Sequence, residues 1–157
     1  MSQEQQTIDL QQYEGTLQLL KHAVEGLDGE QLKRKPAPDK WSVTEVLSHL
    51  TDHNIVTTFR IRQIISEEEP KLPPFDQDPW VSRTRANESD IADIFAVYQA
   101  LLTYNALLLR RIAADDFNRT GINVRGKSVS LAELLKAYVD HVHVHLGQID
   151  RIKQAVI

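Results

Sequence analysis

Residues 131–152, LAELLKAYVDHVHVHLGQIDRI, contain the pattern that decides the fold. Apolar residues and two histidines recur at spacings of three and four, which is the period of one face of an α-helix. With successive residues about 100° apart, this face occupies an arc of about 80°. Its members are Leu131, Leu134, Tyr138, His141, His145, Ile149 and Ile152. The pattern predicts a long helix, ending near Gln154, whose core-facing side includes two imidazoles.

Two stretches begin with the same helix-start signal. Ser130 and Glu133 form a capping box, and Ser42 and Glu45 form another. In this motif the serine side chain and the glutamate side chain each satisfy a backbone N–H that the first helical turn leaves unpaired. The last helix is therefore predicted to begin at Ser130, and an earlier one to run from Ser42 to about Glu67.

Two further helices follow from the apolar spacing alone. The first is predicted over about residues 6–28, where Asp28-Gly29 offers a left-handed stop. The third is predicted to start after Asn87 or Ser89 and to continue to about Ile112. The stretch RTGINVRGKSVS, residues 119–130, has turn-forming glycines and could form a small hairpin. The apolar residues of the first helix are Leu10, Tyr13, Leu17, Leu20, Val24 and Leu27, and those of the third are Ile91, Ile94, Phe95, Tyr98, Leu101, Leu102, Leu108 and Ile112.

The connection between the second and third predicted helices is unusually long. Residues 67–87, EEEPKLPPFDQDPWVSRTRAN, contain four prolines and show no helical period. A helix of 24 residues is about 36 Å long, whereas twenty extended residues span up to about 70 Å. The connection can therefore cross back and make the second and third helices parallel. We expect a single all-α domain over residues 1–157, a four-helix bundle of up-down-down-up topology.

The composition excludes several classes of protein. The chain has 157 residues, no cysteine and a net charge of −4. Without cysteine it can form neither disulfides nor thiolate metal sites, and the negative charge argues against nucleic acid as a partner. The N-terminal residues are polar, and no run approaches the roughly 18 apolar residues that a membrane span requires. We therefore expect a cytoplasmic protein without a membrane partner.

The histidines are the candidate functional residues. His141 and His145 are one helical turn apart on the core face, within reach of one metal ion. A single histidine on an apolar face is usually satisfied by a carbonyl or hydroxyl group, but two on adjacent turns leave several buried nitrogens to satisfy. A third ligand could come from His49 or from His53 on the second helix, and the spacing does not choose between them. Three nitrogen ligands would leave the metal open to water or substrate.

Other polar residues carry weaker signals. Asp52 could orient a ligand histidine through its second ring nitrogen, or it could be a surface residue. His143 lies on the opposite side of the last helix, and we expect it to be exposed, like His22 on the first. A cluster in the crossover could either cover a pocket or anchor the loop; it consists of Phe75, Asp76, Asp78 and Trp80.

Three motifs together resemble the DinB/YfiT-like family, in particular its branch of metal-dependent hydrolases. They are WSVTEVLSHLTDH at 41–53, FDQDPW at 75–80 and DHVHVHLGQI at 140–149. The resemblance implies an up-down-down-up four-helix bundle, often a homodimer. It also implies a divalent metal held by His49, His141 and His145, which favours His49 over His53. Members typically bind zinc or nickel, and others manganese or iron; the commoner branch has a glutamate where this chain has Asn54.

Several functions agree with such a site. The first is a metal-dependent hydrolase that acts on a small molecule. The second is a metal-dependent S-transferase that uses a low-molecular-weight thiol such as bacillithiol or mycothiol, which the family resemblance implies and which the lack of cysteine does not oppose. The third is a non-enzymatic metal-binding stress-response protein. A bundle that binds an apolar ligand or a protein partner without metal would require protein groups to satisfy all three histidines. The sequence identifies no catalytic residue.

Overall fold

The computed structural model describes residues 3–157, with side chains from residue 10 onward. Four long helices form the body of the protein, and two short helices and a two-stranded hairpin lie in the connections. The helices are α1 (Gln3–Ala23), α2 (Gly29–Lys33), α3 (Val43–Ser66), α4 (Gln77–Arg83), α5 (Ile91–Arg111) and α6 (Leu131–Val156). The strands are β1 (Thr120–Ile122) and β2 (Ser128–Ser130), and 3-10 turns occupy Ala86–Glu88 and Ala114–Asn118.

Side-chain contacts give the direction of each long helix. Along α3 and α5, the residue numbers of contacting pairs increase in the same direction, so these two helices are parallel. The same holds for α1 and α6. The partners run in opposite directions for α3 with α6 and for α1 with α5. For the parallel pairs, the contacts are Ser42 with Asn87 and Arg62 with Asn105 (α3 and α5), and Tyr13 with Tyr138 and Glu25 with Lys153 (α1 and α6). For the antiparallel pairs, they are His49 with His145 and His53 with Tyr138 (α3 and α6), and Glu14 with Arg110 and Thr16 with Tyr98 (α1 and α5). The bundle is therefore up-down-down-up, as the length of the crossover predicted.

A layer of buried polar side chains crosses the middle of the bundle and joins all four long helices. The Tyr13 hydroxyl of α1 donates to Asn54 Oδ1 at 3.1 Å and accepts from Asn105 Nδ2 at 2.8 Å. The Tyr138 hydroxyl of α6 donates to the Tyr98 hydroxyl at 2.5 Å. These rings lie within the apolar core. Since buried polar groups are costly unless hydrogen-bonded, the layer favours one axial alignment of the helices.

The predicted starts of α3 and α6 are confirmed. Ser42 and Ser130 are the N-caps, and the glutamate three residues after each completes a capping box. The predicted end of the first helix is wrong, because α1 stops at Ala23 and Gly26 takes the left-handed turn at φ 85°. Asp28 instead caps α2, a short helix that the sequence analysis missed. α5 starts slightly later than predicted, with Asp90 as its N-cap.

The crossover contains more structure than predicted. Residues 67–87 include α4 and the first two residues of the turn Ala86–Glu88, although the sequence shows no helical period there. α4 has only seven residues, too few for a repeating apolar face, and a single residue, Val81, is buried. Pro79 lies in its first turn, where a missing N–H breaks no helical hydrogen bond. The predicted hairpin is confirmed, and the Ile122 N–H and carbonyl bond the crossover backbone at Pro70 and Leu72.

α5 departs from one expectation. By length and composition it is long and apolar enough to cross a membrane, contrary to the prediction that no segment would be. One such helix is weak evidence, because a core helix passes the same test. One face of α5 packs in the bundle through Ile94, Tyr98 and Leu102, and the Tyr98 hydroxyl bonds Thr16 of α1.

The hairpin lies so close to the bundle that one glycine admits no side chain. A Cβ atom on Gly121 would lie 2.8 Å from Leu72 Cδ2 and 3.2 Å from Ile64 Cγ1. We expect Gly121→Ala to lower the free energy of unfolding by about 1–3 kcal/mol, because the neighbours must move. Gly15→Ala is the matched control. A Cβ atom on Gly15, in α1, would have no atom within 4 Å apart from its chain neighbours and the helix's own backbone. This substitution should therefore raise the free energy of unfolding by up to about 1 kcal/mol.

Urea denaturation of the two variants and the unaltered protein measures both changes. Equal unfolding midpoints for Gly121→Ala and the unaltered protein would contradict this placement of the hairpin. A loss of stability in Gly15→Ala would contradict the open surroundings of that residue.

Candidate metal centre

Antiparallel packing of α3 and α6 brings three histidines together. His49 comes from α3 and is 1% exposed, while His141 and His145 lie one turn apart on α6 and are half-buried. One ring nitrogen from each lies within 4.8 Å of the others, and the Nε2 atoms of His141 and His145 are 3.0 Å apart. The structure thus brings together the set that the family resemblance implied.

The hydrogen bonding of these rings indicates what they lack. Both ring nitrogens of His49 are buried without a hydrogen-bond partner, and so is Nδ1 of His141. Each buried, unpaired polar atom costs about 1–3 kcal/mol. A cation that accepted nitrogen lone pairs would remove part of this cost, as it does wherever imidazole is a metal ligand. The residues present therefore fit a divalent metal ion.

The protonation state of the site also suits a cation. Burial, together with the neighbouring His145 and His141, lowers the pKa of His49 to about 3. Burial and His145 lower the pKa of His141 to about 4, and burial lowers the pKa of His145 as well. All three imidazoles are therefore neutral near pH 7, and each offers a lone pair to a metal.

Gln148 orients one of the three rings. His145 Nδ1 lies 2.7 Å from Gln148 Oε1, and an Nδ1–H that donates to this oxygen leaves Nε2 with its lone pair facing the cluster. Sequence analysis missed this residue, although its position three residues after His145 on the same helix is a visible signal. The sequence left Asp52 either in such a role or as a surface residue, and neither ring nitrogen of His49 has a hydrogen-bond partner. Burial raises the pKa of the Asp52 carboxyl to about 6.

His53 lies beside the cluster but outside the group of three. Its ring centre is 4.3 Å from that of His141, and its other face stacks on Tyr138 at 5.3 Å. Its Nδ1 is buried and unpaired, and burial lowers its pKa to about 3. His143 and His22 are exposed, as predicted. Asn54, where the family resemblance implies a glutamate in the commoner branch, is fully buried in the polar layer and accepts a hydrogen bond from Tyr13.

The crossover covers the site with aromatic rings. The Phe75 ring centre lies 6.2 Å from that of His49, and Trp80 packs edge-on against Phe75 at 5.0 Å. Trp41, just before α3, lies 5.1 Å from His49. Of the predicted crossover cluster, Phe75 therefore covers the site and Trp80 packs behind it, whereas Asp76 and Asp78 are exposed.

A cavity of about 450 Å³ opens beside the histidines. Three elements line it: the α3–α6 interface, the crossover and the tip of the hairpin. Its polar members include His49, His53, Arg60, Asn123, Arg125 and His141, and its apolar members include Leu72, Phe75, Val129 and Leu134. The histidine cluster therefore adjoins a space large enough for a small organic molecule.

The buried neutral histidines predict how stability depends on pH in the metal-free protein. The ordinary histidine pKa of about 6.5 applies to the unfolded chain, while the folded pKa of His49 is about 3. Between these values the unfolded chain binds a proton that the folded chain does not, so stability falls as the pH falls below about 6.5. We expect His49→Gln to lose stability less steeply than the unaltered protein, by about 1.4 kcal/mol per pH unit.

Chemical denaturation from pH 7.5 to pH 4.5 measures both slopes. The raised pKa of Asp52 acts in the opposite direction over part of this range, so the difference between the two proteins is the informative quantity. Parallel curves would contradict the burial of a neutral His49.

Comparison with known proteins places the chain in a family. The "Putative metal-dependent hydrolase YfiT" of Bacillus subtilis (strain 168) is 28% identical over 155 residues, which cover 98% of this chain and 87% of that protein. A relative from Oceanobacillus iheyensis, also named as a metal-dependent hydrolase, is 30% identical over 131 residues, covering 83% of this chain and 76% of the relative.

Solved structures share the fold. The structure of YfiT from Bacillus subtilis, described as having an unusual four-helix bundle topology, matches with a TM-score of 0.89 at 27% identity and covers 98% of this chain and 89% of its own. A mycothiol-dependent maleylpyruvate isomerase matches with a TM-score of 0.72 at 12% identity, over 92% of this chain and 60% of its own, a likeness of fold alone. The model of the DinB superfamily matches residues 12–149, and this chain belongs to that superfamily.

Proposed function

We propose that this protein is a metal-dependent hydrolase whose divalent ion is held by His49, His141 and His145. The observation that carries the proposal is the convergence of three imidazoles beside a cavity, with both ring nitrogens of His49 and Nδ1 of His141 buried and unpaired. The names of the relatives support it. Zinc or nickel is the ion we propose first, because three imidazoles suit both; manganese and iron are the alternatives.

The chain's own residues would prepare the site for this chemistry. Three neutral ligands leave the charge of the ion uncompensated, and Gln148 holds one ligand ring in a fixed tautomer. Phe75 and Trp41 shield the buried side of His49 from water. When bound, the ion supplies Lewis acidity, which polarises an ester or amide carbonyl and makes water a stronger acid.

A thiol S-transferase is the second candidate. The same fold occurs in a mycothiol-dependent isomerase, so a bundle of this kind supports chemistry with a low-molecular-weight thiol. This chain has no cysteine, and such a thiol would have to enter as a substrate. A cavity of about 450 Å³ next to the histidines can accommodate a small thiol or its electrophile. A non-enzymatic metal-binding stress protein is the third candidate. Homodimerisation and a cytoplasmic location stay predictions.

Metal content tests the ligand set. Elemental analysis of protein purified without a histidine tag should find about one divalent ion per chain, and His49→Ala, His141→Ala and His145→Ala should each lose it. His143→Ala is the matched control, since it lies on the same helix but is exposed, and it should keep the ion. Circular dichroism verifies that each variant is folded. Near-zero metal in the unaltered protein, or unchanged metal in the three variants, would sink the metal site.

Thiol dependence separates the two enzymatic candidates. As a hydrolase, the metal-loaded protein should cleave activated esters such as 4-nitrophenyl acetate at the same rate with and without added thiol, and His141→Ala should lose this activity. Turnover that appears only with bacillithiol or mycothiol would favour the S-transferase instead. A folded, metal-loaded protein that is inactive in both assays and unfolds when the metal is chelated would favour the stress protein.

A further inference from the structure

We propose that the cavity beside the three histidines selects small substrates that carry an oxyanion group, and that Arg60 and Arg125 bind this group. The inference deepens the proposed function and rests on it for the reaction, but the binding site itself stands on observations independent of the metal. It follows from the charges that line the cavity and from the bonding of each arginine.

The charges on the cavity wall have one sign. Arg60 and Arg125 line it, whereas no aspartate or glutamate does in the part of the chain that the structure describes. The chain as a whole is negative, at −4, so this local excess of cation is not a consequence of composition. A divalent ion on three neutral ligands would add further positive charge. Such a cavity attracts anions and repels cations.

Arg60 is held in place yet lacks a counter-ion. It lies on α3, two turns after His53, and is half-buried. Its Nε and Nη2 donate to the Pro73 carbonyl at 3.1 and 2.6 Å, which fixes the guanidinium against the crossover. Among the described residues no carboxylate pairs with it, and Nη1 makes no hydrogen bond. A partly desolvated cation with free N–H groups is a ready partner for an anion.

Arg125 reaches the same cavity from a different element. It lies in the turn between β1 and β2, where its backbone N–H donates to Asn123 Oδ1 at 2.9 Å and Gly126 takes a left-handed φ of 76°. The turn is thus ordered by its own hydrogen bonds, while the guanidinium is exposed and has no carboxylate partner among the described residues. Two planar forks on separate elements can grip one oxyanion from two sides.

The rest of the wall suits the carbon part of such a substrate. Phe75 and Leu134 give it apolar contact, and His53 contributes a buried, unpaired Nδ1. An oxyanion on the arginines would leave the other end of a small molecule facing the histidine cluster.

Binding of simple probes to the metal-free protein tests the inference. Succinate and methylphosphonate carry a carboxylate and a phosphonate, and succinamide is the neutral counterpart of succinate. NMR titrations should give dissociation constants about tenfold or more lower for at least one anion than for succinamide. Whichever anion binds more tightly identifies the oxyanion class. Equal affinity for succinate, methylphosphonate and succinamide, or no binding, would overturn the proposal.

Variants assign the anion to the two arginines. Arg60→Gln and Arg125→Gln should each weaken binding of the preferred anion about tenfold, and Arg60→Lys should weaken it less, because it keeps the charge. Arg111→Gln is the matched control, since it removes the same charge from an exposed residue outside the cavity. Its affinity should equal that of the unaltered protein. Unchanged affinity in both cavity variants, or an equal loss in the control, would overturn the proposal.

The two proposals fail separately. If the unaltered protein holds no metal but binds the anion through the arginines, the metal function fails and the anion site stands. If metal is present but the arginine variants bind the anion normally, the anion site fails and the metal site stands. Arg60→Gln removes the hydrogen bonds to the Pro73 carbonyl. If this variant unfolds, the anion affinities of Arg60→Lys and Arg125→Gln test the proposal, and circular dichroism verifies that both are folded.

Discussion

The parallel arrangement of α3 and α5 is the constraint on which the rest of this structure depends. Two neighbouring helices that point the same way cannot be joined by a short turn, so the chain must travel the length of the bundle between them. This connection runs along the outside of the α3–α6 interface, where the three histidines lie. Phe75 and the Pro73 carbonyl thereby come to lie beside the site. The connection that the topology requires is also the wall of the cavity.

Burial of neutral imidazole is the second constraint. A charged histidine could stay in water, but His49 is 1% exposed and its charged form is disfavoured by desolvation and by two neighbouring rings. The fold therefore keeps lone pairs available and unpaired in its interior. These unpaired nitrogens reduce the folding stability of the metal-free chain, and a bound cation would offset that loss. Functional sites often lower the stability of the fold in this way.

Much of this could be predicted from sequence because the deciding signals are local. Ser42 and Ser130 announce their helices through capping boxes, and His141 and His145 share a face by spacing alone. The choice of His49 over His53 needed the family resemblance, because the two residues are one turn apart on the same helix. α2 was missed because it has five residues and buries none of them, so no apolar period marks it. Sequence analysis missed Gln148, Arg60 and Arg125, because the role of an amide or a guanidinium depends on which residues surround it in the folded protein.

The layer of tyrosines and asparagines has a consequence for how the histidine cluster is assembled. Tyr138 of α6 donates a hydrogen bond to Tyr98 of α5 and stacks on His53 of α3, so both contacts fix the position of α6 about one turn from His141. Sliding either helix by a turn would strand several buried hydroxyl and amide groups. The bundle itself thus holds the three histidines close together, without an ion to gather them. Uptake and release of a metal would then proceed without refolding, as exchange at a rigid receptor.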